Sequence, residues 1–518
     1  MAEPSPRAGP LVSVLVPTFN RRRVLAEALA SLVRQTHANF EAFVVNDGGE
    51  QVADLVAAFN DPRLVMIDRR ENRGKAHCLN EALGRARGKY VAYLDDDDLF
   101  YPHHLASLVH ALETRPECGA AYTDLYKVHC RVRPDGQRQV LGKVVTVSRD
   151  FDRFFICYFN HVLHVSLMHR RDLLEKTGLY NENLRVLIDW DMTRRLAHFT
   201  DFTHVTDVTG EFYGPVGESD RISYLMRLDK MKYLTQLMTI RATRPPKPWP
   251  KMPDLSIILL ADRLDKTSAG RLRDIWLWTF MPNQVYLPLP AAQLARLASD
   301  MPHLVRVPVP DNAGRAARLD EALRRVEGDY VAVVPPDVQP ASMWAEDPLH
   351  AAVLPKSGGI AFAIAKPEGD WPAVVVGRGD LLRARAARPG VTLRESLAAA
   401  GIAVREPTDD ERPLGFDHSL QRAQALEKEG AWARAGWLYD RIGAHFGNRR
   451  WMKERAAWAL YRAGSQDGRA TEMAREAAAD RPTVSVLLLE AKLLRRAGRD
   501  TDAAAILEHA KEILSGKV

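Results

Sequence analysis

Apolar runs and amphipathic stretches alternate along the first part of the chain. The apolar runs that predict β-strands lie at 12–16, 40–45, 64–67 and 90–94. The stretches that predict helices, with apolar residues at helical spacing, lie at 23–35, 51–59 and 75–86. This alternation predicts a parallel sheet with helices on its faces. In such sheets, ligands bind beyond the carboxyl ends of the strands.

Polar segments follow three of these predicted strands, and they are "PTFN" at 17–20, "NDGG" at 46–49 and "DDDD" at 95–98. Four adjacent carboxylates repel one another, so their place at a strand end needs a cause. Side chains at positions i and i+2 of a strand point the same way, which lets Asp95 and Asp97 converge on one divalent cation while Asp96 turns elsewhere. A solvated acidic turn that caps the helix starting near Pro102 is the alternative, but capping needs only one acid.

An internal repeat links the acidic segment to a second part of the chain. "NRGKAHCLNEALGRARGKYVAYLDDDD" at 72–98 aligns without a gap with "NAGRAARLDEALRRVEGDYVAVVPPDV" at 312–338, and "SVLV" has a counterpart in "SIIL" at 256–259. We therefore expect a second domain with the same α/β fold. This copy is degenerate, because Asp337 is the one acid left in its strand-end segment and "VYLPLPA" replaces "FVVNDGG". The replacements of Asp95, Asp96 and Asp98 are Pro335, Pro336 and Val338. A single carboxylate is a poor site for a divalent cation, so the second domain is expected to be catalytically silent.

From about residue 420 the chain is rich in Ala, Leu and Arg and gives no strand signal. A glycine recurs every 34 residues, with an alanine seven positions before it and a leucine four positions before it. The glycines are Gly430, Gly464 and Gly498. This pattern resembles tetratricopeptide repeats, about three of which would fill 415–518 and bind a protein partner. A helical cap on the preceding domain is the alternative.

Composition supports a globular protein with several domains. The 518 residues are 46% hydrophobic and 27% charged, and this length favours about three domains. A segment with five prolines at 241–254 predicts a linker. The predicted organisation is a disordered N-terminus at 1–10, two α/β domains at 11–240 and 255–410 on either side of the linker, and helical repeats at 415–518.

Charge and cysteine content bear on location and partners. The four cysteines show no paired spacing and are expected to be reduced thiols. Neither a signal-peptide pattern nor a run of 18 apolar residues occurs, so we expect a cytoplasmic protein. The net charge is +6, but the basic residues are expected to be scattered, which favours no nucleic-acid binding and at most peripheral membrane association. "RRR" at 21–23 is expected to be a solvated helix start.

Three blocks, in order and spacing, resemble the family 2 glycosyltransferases with the GT-A fold. The blocks are "VSVLVPTFNRRRVLAEALASLVRQTHANFEAFVVNDGG", "NRGKAHCLNEALGRARGKYVAYLDDDDLFYPHHL" and "SLMHRRDLLEKTGLYNENLRVLIDWDMTRRLA". The resemblance covers roughly residues 10–215. It implies a Rossmann-like α/β domain that uses a nucleotide-diphosphate sugar as donor and Mg²⁺ or Mn²⁺ as cofactor.

The resemblance assigns nucleotide and metal roles by position. The residues implied in nucleotide binding are Pro17, Phe19, Asp47, Gly74, Lys75 and Asp96. Asp97 is implied as the main ligand of the cation with Asp95, and the family's "DxDD" pattern extends to Asp98. Asn46 stands where the family has the first of two acids, which bears on nucleotide preference. Lys75 either meets the phosphates or is a solvated lysine at a helix start.

The resemblance also implies a catalytic base in the third block. Inversion needs a carboxylate that takes the proton of the acceptor hydroxyl on the face opposite the departing diphosphate. The family pattern, an "ED" pair followed by an aromatic and a second Asp, matches "IDWD", which makes Asp189 the candidate base and Asp191 the fallback. Ile188 replaces the glutamate of the pair. Trp190 either stacks on a sugar ring or packs in the core.

A glycine-rich loop and a group of histidines complete the candidates. "GPVGESDRISY" at 214–224 falls where the family has a lid, and Arg221 either reaches the leaving diphosphate or is a surface arginine. The spacing of His161, His164 and His169 does not fit one strand face, so we expect structural or acceptor-side roles rather than a metal site.

The expected function is a metal-dependent inverting glycosyltransferase in bacterial polysaccharide or protein glycosylation, including the cell-envelope glycans. A nucleotidyltransferase is a weaker alternative, because it would be expected to carry a glycine-rich phosphate loop where "PTFNRRR" stands. The stronger alternative is a catalytically inactive scaffold that binds nucleotide or protein partners, since Ile188 and Asn46 depart from the family pattern. No residue pattern identifies the donor sugar or the acceptor.

Overall fold

A computed structural model describes most of the chain. The described residues are 9–133, 136–145, 148–216, 229–297, 303–341, 344–354, 357–365, 368–412, 416–446, 449–464, 467–480 and 482–514. The chain divides into two compact units, Met1–Glu406 and Pro407–Val518. Of the N-terminal segment expected to be disordered, residues 1–8 lie outside the described part, and the carbonyl oxygen of Gly9 accepts a hydrogen bond from Asn39 Nδ2 at 2.8 Å.

The first unit contains two sheets, and the first sheet has nine strands among the described residues. They are β1 (Val12–Thr18), β2 (Phe40–Asn46), β3 (Leu64–Asp68), β4 (Tyr90–Tyr93), β5 (Leu99–Phe100), β6 (Cys118–Val132), β7 (Arg138–Val145), β8 (Leu167–Arg170) and β9 (Asp201–Pro215). The helices around this sheet are α1 (Arg22–Val33), α2 (Ala53–Ala58), α3 (Lys75–Arg85), α4 (His104–Thr114), α5 (Arg153–Tyr158), α6 (Leu174–Thr177), α7 (Ile188–Leu196) and α8 (Lys230–Ala242).

The strand order of the first sheet is β3-β2-β1-β4-β8-β6-β9-β5, and β7 pairs with β6. Strands β1 to β4 run parallel, whereas β8 is antiparallel to β4. The predicted parallel sheet with covering helices is therefore confirmed. The strands bury apolar side chains in a separate cluster on each face, which explains why β1 and β2 are almost continuously apolar.

The second sheet of this unit has seven strands in the described residues. They are β10 (Leu255–Leu259), β11 (Asn283–Pro290), β12 (Leu304–Val309), β13 (Tyr330–Val334), β14 (Ile360–Ala363), β15 (Val374–Gly377) and β16 (Ala403–Arg405). Its helices are α9 (Lys266–Trp278), α10 (Ala291–Ala295), α11 (Arg315–Leu323), α12 (Glu346–Ala352), α13 (Arg378–Ala387) and α14 (Leu393–Ala399). The strand order is β12-β11-β10-β13-β15-β14-β16.

The two sheets share their local register as well as their order. In each, the first strand lies between the second and the fourth, all three are parallel, and an antiparallel strand follows the fourth. The equivalent pairs are Val12 with Phe40 and with Tyr90, and Leu255 with Asn283 and with Tyr330. These features support the prediction that the second domain repeats the fold of the first.

A buried serine marks the same point in both sheets. Ser13 Oγ accepts a hydrogen bond from the Gly88 backbone N–H at 2.9 Å, and Ser256 Oγ accepts one from Gly328 at 3.1 Å. Both glycines lie so close to the serine that an added Cβ would stand 2.6–3.0 Å from the serine's backbone nitrogen and Oγ. The glycine that precedes each fourth strand is therefore required by this close approach.

The proline-rich segment at 241–254 connects two domains that pack against each other. One apolar cluster contains side chains of both sheets, and Met252 of the segment is part of it. The ring of Trp249 stands edge-on to His198 at 4.9 Å, and the Lys251 backbone N–H donates to the His198 carbonyl at 3.1 Å. The segment thus contacts the first domain directly.

The second unit consists of helices in its described residues. They are α15 (Phe416–Lys428), α16 (Trp432–Phe446), α17 (Arg449–Ala463), α18 (Asp467–Asp480), α19 (Val484–Arg496) and α20 (Asp500–Leu514). The three repeated glycines have φ of 65° to 76° and follow the ends of α15, α17 and α19, where the left-handed conformation favours glycine. The 34-residue period thus corresponds to helix pairs, and their assignment as tetratricopeptide-like repeats stays a prediction. No helix in the described part of the chain is both long and apolar enough to cross a bilayer.

Candidate active site

The four aspartates occupy a turn at the carboxyl end of β4. The strand ends at Tyr93, and the Asp98 backbone N–H donates to the Asp95 carbonyl at 3.1 Å, which closes the turn. The prediction that Asp95 and Asp97 converge because they alternate along a strand is therefore wrong in its geometry, since these residues lie in a turn and not on a strand. Asp95, Asp97 and Asp98 each present a carboxylate oxygen within 4.8 Å of the others. Asp98 therefore joins the pair that the strand argument brought together.

Three converging carboxylates suit a divalent cation. Two ligands of an octahedral Mg²⁺ lie about 3 Å apart when adjacent and about 4 Å apart when opposite, given bonds of about 2.1 Å. The separations in the turn are within 4.8 Å, so a small contraction would bring the oxygens to a common ion. No second group of three acidic, histidine or cysteine side chains with this geometry occurs among the described residues.

Asp96 points into the protein instead. Its Oδ2 accepts a hydrogen bond from Thr18 Oγ1 at 2.8 Å, and Arg21 Nη1 lies 3.4 Å from its Oδ1. Burial, and then the charge of Asp97, raises the pKa of this carboxyl to about 6. The Thr18 contact joins the carboxyl ends of β1 and β4, the neighbouring strands at which the chain order reverses.

Two basic side chains flank the acidic turn. Arg21 Nη1 contacts Asp97 Oδ2 at 2.9 Å, and Lys75 Nζ contacts the two oxygens of Asp95 at 2.5 and 2.8 Å. Burial acts to lower the pKa of Lys75, but Asp95, followed by Asp189 and Asp98, outweighs it and raises that pKa. The lysine is therefore a fixed cation at the start of α3 that lies within reach of both the acidic turn and the candidate base.

Asp47 organises the loop that precedes α3. Its Oδ1 accepts from the Arg73 backbone N–H at 3.0 Å, and its Oδ2 accepts from the Gly74 N–H at 2.7 Å. Gly74 has a φ of 98° and is the last residue before the helix, a conformation that side-chain-bearing residues rarely adopt. The predicted nucleotide residues Asp47, Gly74 and Lys75 thus lie next to one another.

The contacts of Asn46 explain why an amide stands where the family pattern has an acid. Its Nδ2 donates to Asp68 Oδ1 at 2.8 Å and to the Glu50 carbonyl at 3.1 Å, and its Oδ1 accepts from the Gly49 N–H at 3.2 Å. An aspartate could not donate these bonds and would stand against Asp68. The amide therefore holds the turn after β2 to the end of β3.

Pro17 and Phe19 lie at the carboxyl end of β1. Pro17 is half-buried and pairs with Val45 of β2, and the Phe19 side chain is 42% exposed. An exposed aromatic ring beside the Asp47 loop offers a surface on which a planar base could stack. The structure thus brings the predicted nucleotide residues to one edge of the sheet.

The candidate base Asp189 lies in the first turn of α7. Asn160 Nδ2 donates to its Oδ2 at 2.9 Å. Burial raises the pKa of the Asp189 carboxyl and the Asp95 charge adds to this, whereas the charge of Lys75 opposes it. Asp189 therefore lies within electrostatic range of the Lys75–Asp95 ion pair.

The neighbours of Asp189 on this helix face the core. Asp191 is buried, and its Oδ2 accepts from Arg195 Nε at 3.0 Å and Nη2 at 2.7 Å. Trp190 is buried and its Nε1 donates to the Ile156 carbonyl at 2.6 Å, which agrees with core packing rather than sugar stacking. Ile188 is buried in the same apolar cluster.

The histidines after α5 form a buried network and not a metal cluster among the described residues. His164 Nε2 is 2.9 Å from the Tyr180 hydroxyl, and its ring stacks on Tyr93 at 4.1 Å. His169 Nε2 is 2.6 Å from the Tyr93 hydroxyl. His161 is also buried. Burial lowers the pKa of His164 well below its usual value and that of His169 to about 4, so both support the floor of the site as neutral rings.

Two further predictions concern helix capping by the aspartates and the role of Arg221. Helix α4 begins at His104, and its preceding residue His103 makes no side-chain cap, so the aspartates do not cap this helix. Arg221 lies outside the described residues, and its role as a lid residue stays a prediction.

The second domain holds the helix that carries Asp189. Arg194 Nη2 donates to the Phe280 carbonyl at 3.2 Å, and the Phe280 backbone N–H donates to Glu346 Oε1 at 2.7 Å. Glu346 is buried, and burial raises the pKa of its carboxyl to about 7. The second domain therefore contributes a buried polar contact to α7.

Sequence reasoning missed three residues of this site. Arg21, expected to be a solvated helix start, contacts Asp97 directly, and its position just after β1 was the available signal. Arg138 Nη1 donates to the Asp97 carbonyl at 2.6 Å from a distant hairpin, and Asn160 reaches Asp189 from a loop. Neither Arg138 nor Asn160 lies in a recognisable motif, since the tertiary fold alone brings them in.

The part of the chain that forms this site is similar to known proteins. The family model for Glycosyl transferase family 2 matches residues 13–170. The uncharacterized glycosyltransferase YwdF of Bacillus subtilis is 27% identical over 186 residues, which cover 36% of this chain and 68% of that protein. The uncharacterized glycosyltransferase RT0329 of Rickettsia typhi is 30% identical over 192 residues, which cover 35% of this chain and 57% of that protein.

Solved structures of glycosyltransferases give weaker similarities. The mannosyltransferase PcManGT from Pyrobaculum calidifontis, in complex with GDP-Man and Mn²⁺, is 24% identical with a TM-score of 0.33, and the match covers 47% of this chain and 68% of that chain. TarS 1–349 from S. aureus, in complex with UDP-GlcNAc, is 21% identical with a TM-score of 0.32, covering 45% of this chain and 70% of that chain. Residues 13–170 of this chain thus match the glycosyl transferase family 2 model, and the relatives of the preceding paragraph are similar to about a third of the chain.

Proposed function

We propose that the first domain transfers a sugar from a nucleotide-diphosphate sugar to an acceptor hydroxyl, with inversion at the anomeric carbon. One observation supports this proposal: three carboxylates converge in the acidic turn, Lys75 pairs with one of them, and the charges of that pair act on Asp189, in a chain whose residues 13–170 match the family 2 glycosyltransferase model. The acceptor and the pathway are open, and bacterial polysaccharide and protein glycosylation both fit this chemistry.

The donor would bind across the ends of β1, β2 and β4. Phe19 would stack on the base beside Pro17, and Asp47 would face the base and ribose while it holds the Gly74 loop. Asp96 is assigned beside the ribose, although its carboxylate is already bonded to Thr18. Lys75 would turn part of its charge from Asp95 toward the diphosphate.

A divalent cation, Mg²⁺ or Mn²⁺, fits between Asp95, Asp97 and Asp98 and, when bound, would neutralise diphosphate charge. Arg21 already contacts Asp97 and would add a second positive charge on the donor side of the turn. These fixed charges would stabilise the leaving group without reorganisation.

Asp189 would take the proton of the acceptor hydroxyl. The pKa of the Asp189 carboxyl is raised by burial, which makes its carboxylate a stronger base, and the hydrogen bond from Asn160 to Oδ2 orients that carboxylate. Asp191 is a poorer candidate, because its carboxylate is buried and bonded to Arg195. We infer that Asp191 fixes α7 instead.

The other parts of the chain are assigned supporting roles. The second domain would be catalytically silent and would serve as a spacer, interface or acceptor platform, because Asp337 is its one counterpart of the four aspartates. The helical unit would bind a protein partner along its helix pairs.

A transfer assay tests this proposal. Purified protein is incubated with a panel of nucleotide sugars, with Mn²⁺ or Mg²⁺, and hydrolysis or transfer is compared for wild type, Asp97→Asn and Asp189→Asn. The matched control is Asp337→Asn, the equivalent position of the second domain. We expect Asp97→Asn to lower the rate by about 10³-fold and the control to stay within about twofold. A wild-type protein that neither turns over any donor nor binds any nucleoside diphosphate would instead support the inactive scaffold.

A further inference from the structure

A hairpin beside the acidic turn has a strand whose side chains are exposed on both faces. Its described residues are 126–133 and 136–145, which include the end of β6 and all of β7. Every residue from 139 to 145 is exposed, whereas antiparallel strands usually bury alternate side chains. The exposed apolar side chains on this hairpin are Val132 at 51%, Val140 at 46%, Leu141 at 50%, Val144 at 44% and Val145 at 36%.

The same hairpin concentrates the positive charge of the protein. By sequence it contains five Lys or Arg residues and one Asp, a net charge of +4, so the other 498 residues together carry +2 of the total of +6. Two of the five, Arg138 and Lys143, form ion pairs with glutamates outside the hairpin, which leaves the other three for a partner. The expectation of scattered basic residues is therefore wrong for this segment. Arg131 and Arg133 are exposed, and Lys127 is half-buried.

Cations and apolar side chains share the outer face of the hairpin. Lys127 pairs with Val144 across the two strands, and such cross-strand partners project from the same side. Val128 and Cys130 project to the other side, where they pack in a small buried cluster with Tyr213. The strand β7 pairs with β6 alone among the described strands, so it forms an edge.

We propose that this hairpin docks on the surface of a bilayer that contains anionic lipids. Basic side chains would approach the anionic headgroups, and Val144 on the outer face and the exposed Leu141 beside it would enter the boundary between headgroups and acyl chains. Arg138 of the hairpin donates to the Asp97 carbonyl, so a docked hairpin would hold the acidic turn close to the lipid surface. The proposal does not depend on the sugar-transfer reaction.

The hairpin chemistry favours a membrane over the other occupants. Two copies of the chain that met through β7 would bring two clusters of +4 together, and like charges oppose this. A soluble polyanion such as a nucleic acid would use the cations, but it would leave the aliphatic side chains exposed to water. An anionic bilayer is the partner that uses both kinds of side chain.

Vesicle cosedimentation of the full chain tests the docking. The vesicles consist of phosphatidylcholine alone or with about 30% phosphatidylglycerol, a content chosen to supply anionic headgroups. We expect binding to the anionic vesicles only, and weaker binding as salt rises from about 0.1 M to about 0.5 M, because salt screens exposed charges.

Two double variants separate the apolar and the charged contributions. Leu141→Glu with Val144→Glu, and Arg131→Glu with Arg133→Glu, should each lower the vesicle partition coefficient at least about tenfold. The matched controls are Leu382→Glu with Leu488→Glu, which are exposed leucines elsewhere, and Arg324→Glu with Arg325→Glu on the second domain. The controls should bind vesicles within about twofold of wild type. Thermal unfolding of each variant shows that it is folded.

Three results would overturn the inference. One is absence of binding to anionic vesicles by the folded wild type. Another is equal loss of binding in the hairpin variants and in the matched controls. The third is sedimentation velocity that shows a dimer lost in the hairpin variants while vesicle binding is absent, since this would assign the edge strand to a second copy of the chain.

Discussion

The two sheets of the first unit have the same strand order but different carboxyl edges. Both place the first strand between the second and fourth, and both bury a serine that accepts a hydrogen bond from the glycine before the fourth strand. The chain after the fourth strand is "DDDD" in one and "PPDV" in the other. The fold thus depends on the apolar strands and their contacts, and the acids can be removed without changing it.

The basic residue at the start of the third helix shows how each edge balances its charge. Lys75 pairs with Asp95 of the acidic turn, whereas its counterpart Arg315 pairs with Asp262, after the first strand, at 2.7 Å. Pro335 stands where the partner of Lys75 would be. At the carboxyl edge of the second sheet, the arginine therefore pairs with a single aspartate. No group of three acids that could bind a cation lies there among the described residues.

The largest expected effect concerns Asp189, in the first turn of α7. Asp189→Asn should lower the rate of sugar transfer by about 10³-fold, because the amide cannot take the acceptor proton. Its thermal stability should stay close to that of wild type, since Asp189 accepts a single side-chain hydrogen bond, from Asn160. Steady-state kinetics and thermal unfolding of the same preparation measure both quantities.

Asp191→Asn is the control for that prediction. It removes a buried ion pair with Arg195, so it should lower the free energy of unfolding by about 3 kcal/mol. The opposite result would identify Asp191 as the base. In that case Asp191→Asn would be stable but inactive, and Asp189→Asn would retain activity.

A smaller effect, on the free energy of unfolding, comes from Glu346 of the second domain and depends on pH. Burial raises the pKa of Glu346 from 4.5 to about 7 in the folded protein. Between these values the folded state holds a proton that the unfolded state has lost, so stability falls as pH rises from about 4.5 to about 7. The loss should amount to about 3 kcal/mol, since one pKa unit corresponds to about 1.4 kcal/mol.

The matched variant Glu346→Gln isolates this contribution. It removes the titrating group while its amide oxygen can still accept from the Phe280 N–H. Unfolding free energies at about pH 3.5 and about pH 8, each about one unit outside the window, should differ by about 3 kcal/mol more in wild type than in Glu346→Gln. Equal pH dependence in the two proteins would show that Glu346 is ionised or solvated in the fold.

The smallest effect concerns the part that the two sheets share. Ser13→Ala and Ser256→Ala should each lower the unfolding free energy by about 1–2 kcal/mol, because each leaves the N–H of a buried glycine without its acceptor. Ser13→Ala should cost more, since Ser13 also donates to Glu41 at 2.8 Å. Chemical denaturation measures both, and a cost confined to one sheet would break the equivalence of the two domains.

The sequence predicted the fold well because apolar periodicity records burial. The strand predicted at 12–16 extends to Thr18, and the helix predicted at 75–86 ends at Arg85. The strand order could be expected from the βαβ pattern and the internal repeat. The antiparallel half, with the hairpin of β6 and β7, could not be assigned, because its exposed strand β7 follows no alternation of buried and exposed positions.

The candidate site was predicted in part. Asp95 and Asp97 could be identified in the sequence because a run of four acids follows an apolar strand. Asp189 could be identified because it matches a family pattern. Asp98 was missed from the strand argument because the turn, and not a strand, decides which carboxylates meet. Asn160 contacts its target from a loop, and no local pattern encodes a contact of this kind.

Calorimetric titration with nucleoside diphosphates tests most directly the claim that only the first edge does chemistry. UDP, GDP and CDP are titrated into wild type, Asp97→Asn and Asp337→Asn, each with and without Mn²⁺. We expect one nucleotide to bind wild type and Asp337→Asn equally and more tightly with Mn²⁺, and Asp97→Asn to bind at least about tenfold more weakly with no response to the metal. Equal loss of affinity in Asp337→Asn, or wild-type binding that ignores Mn²⁺, would contradict the account.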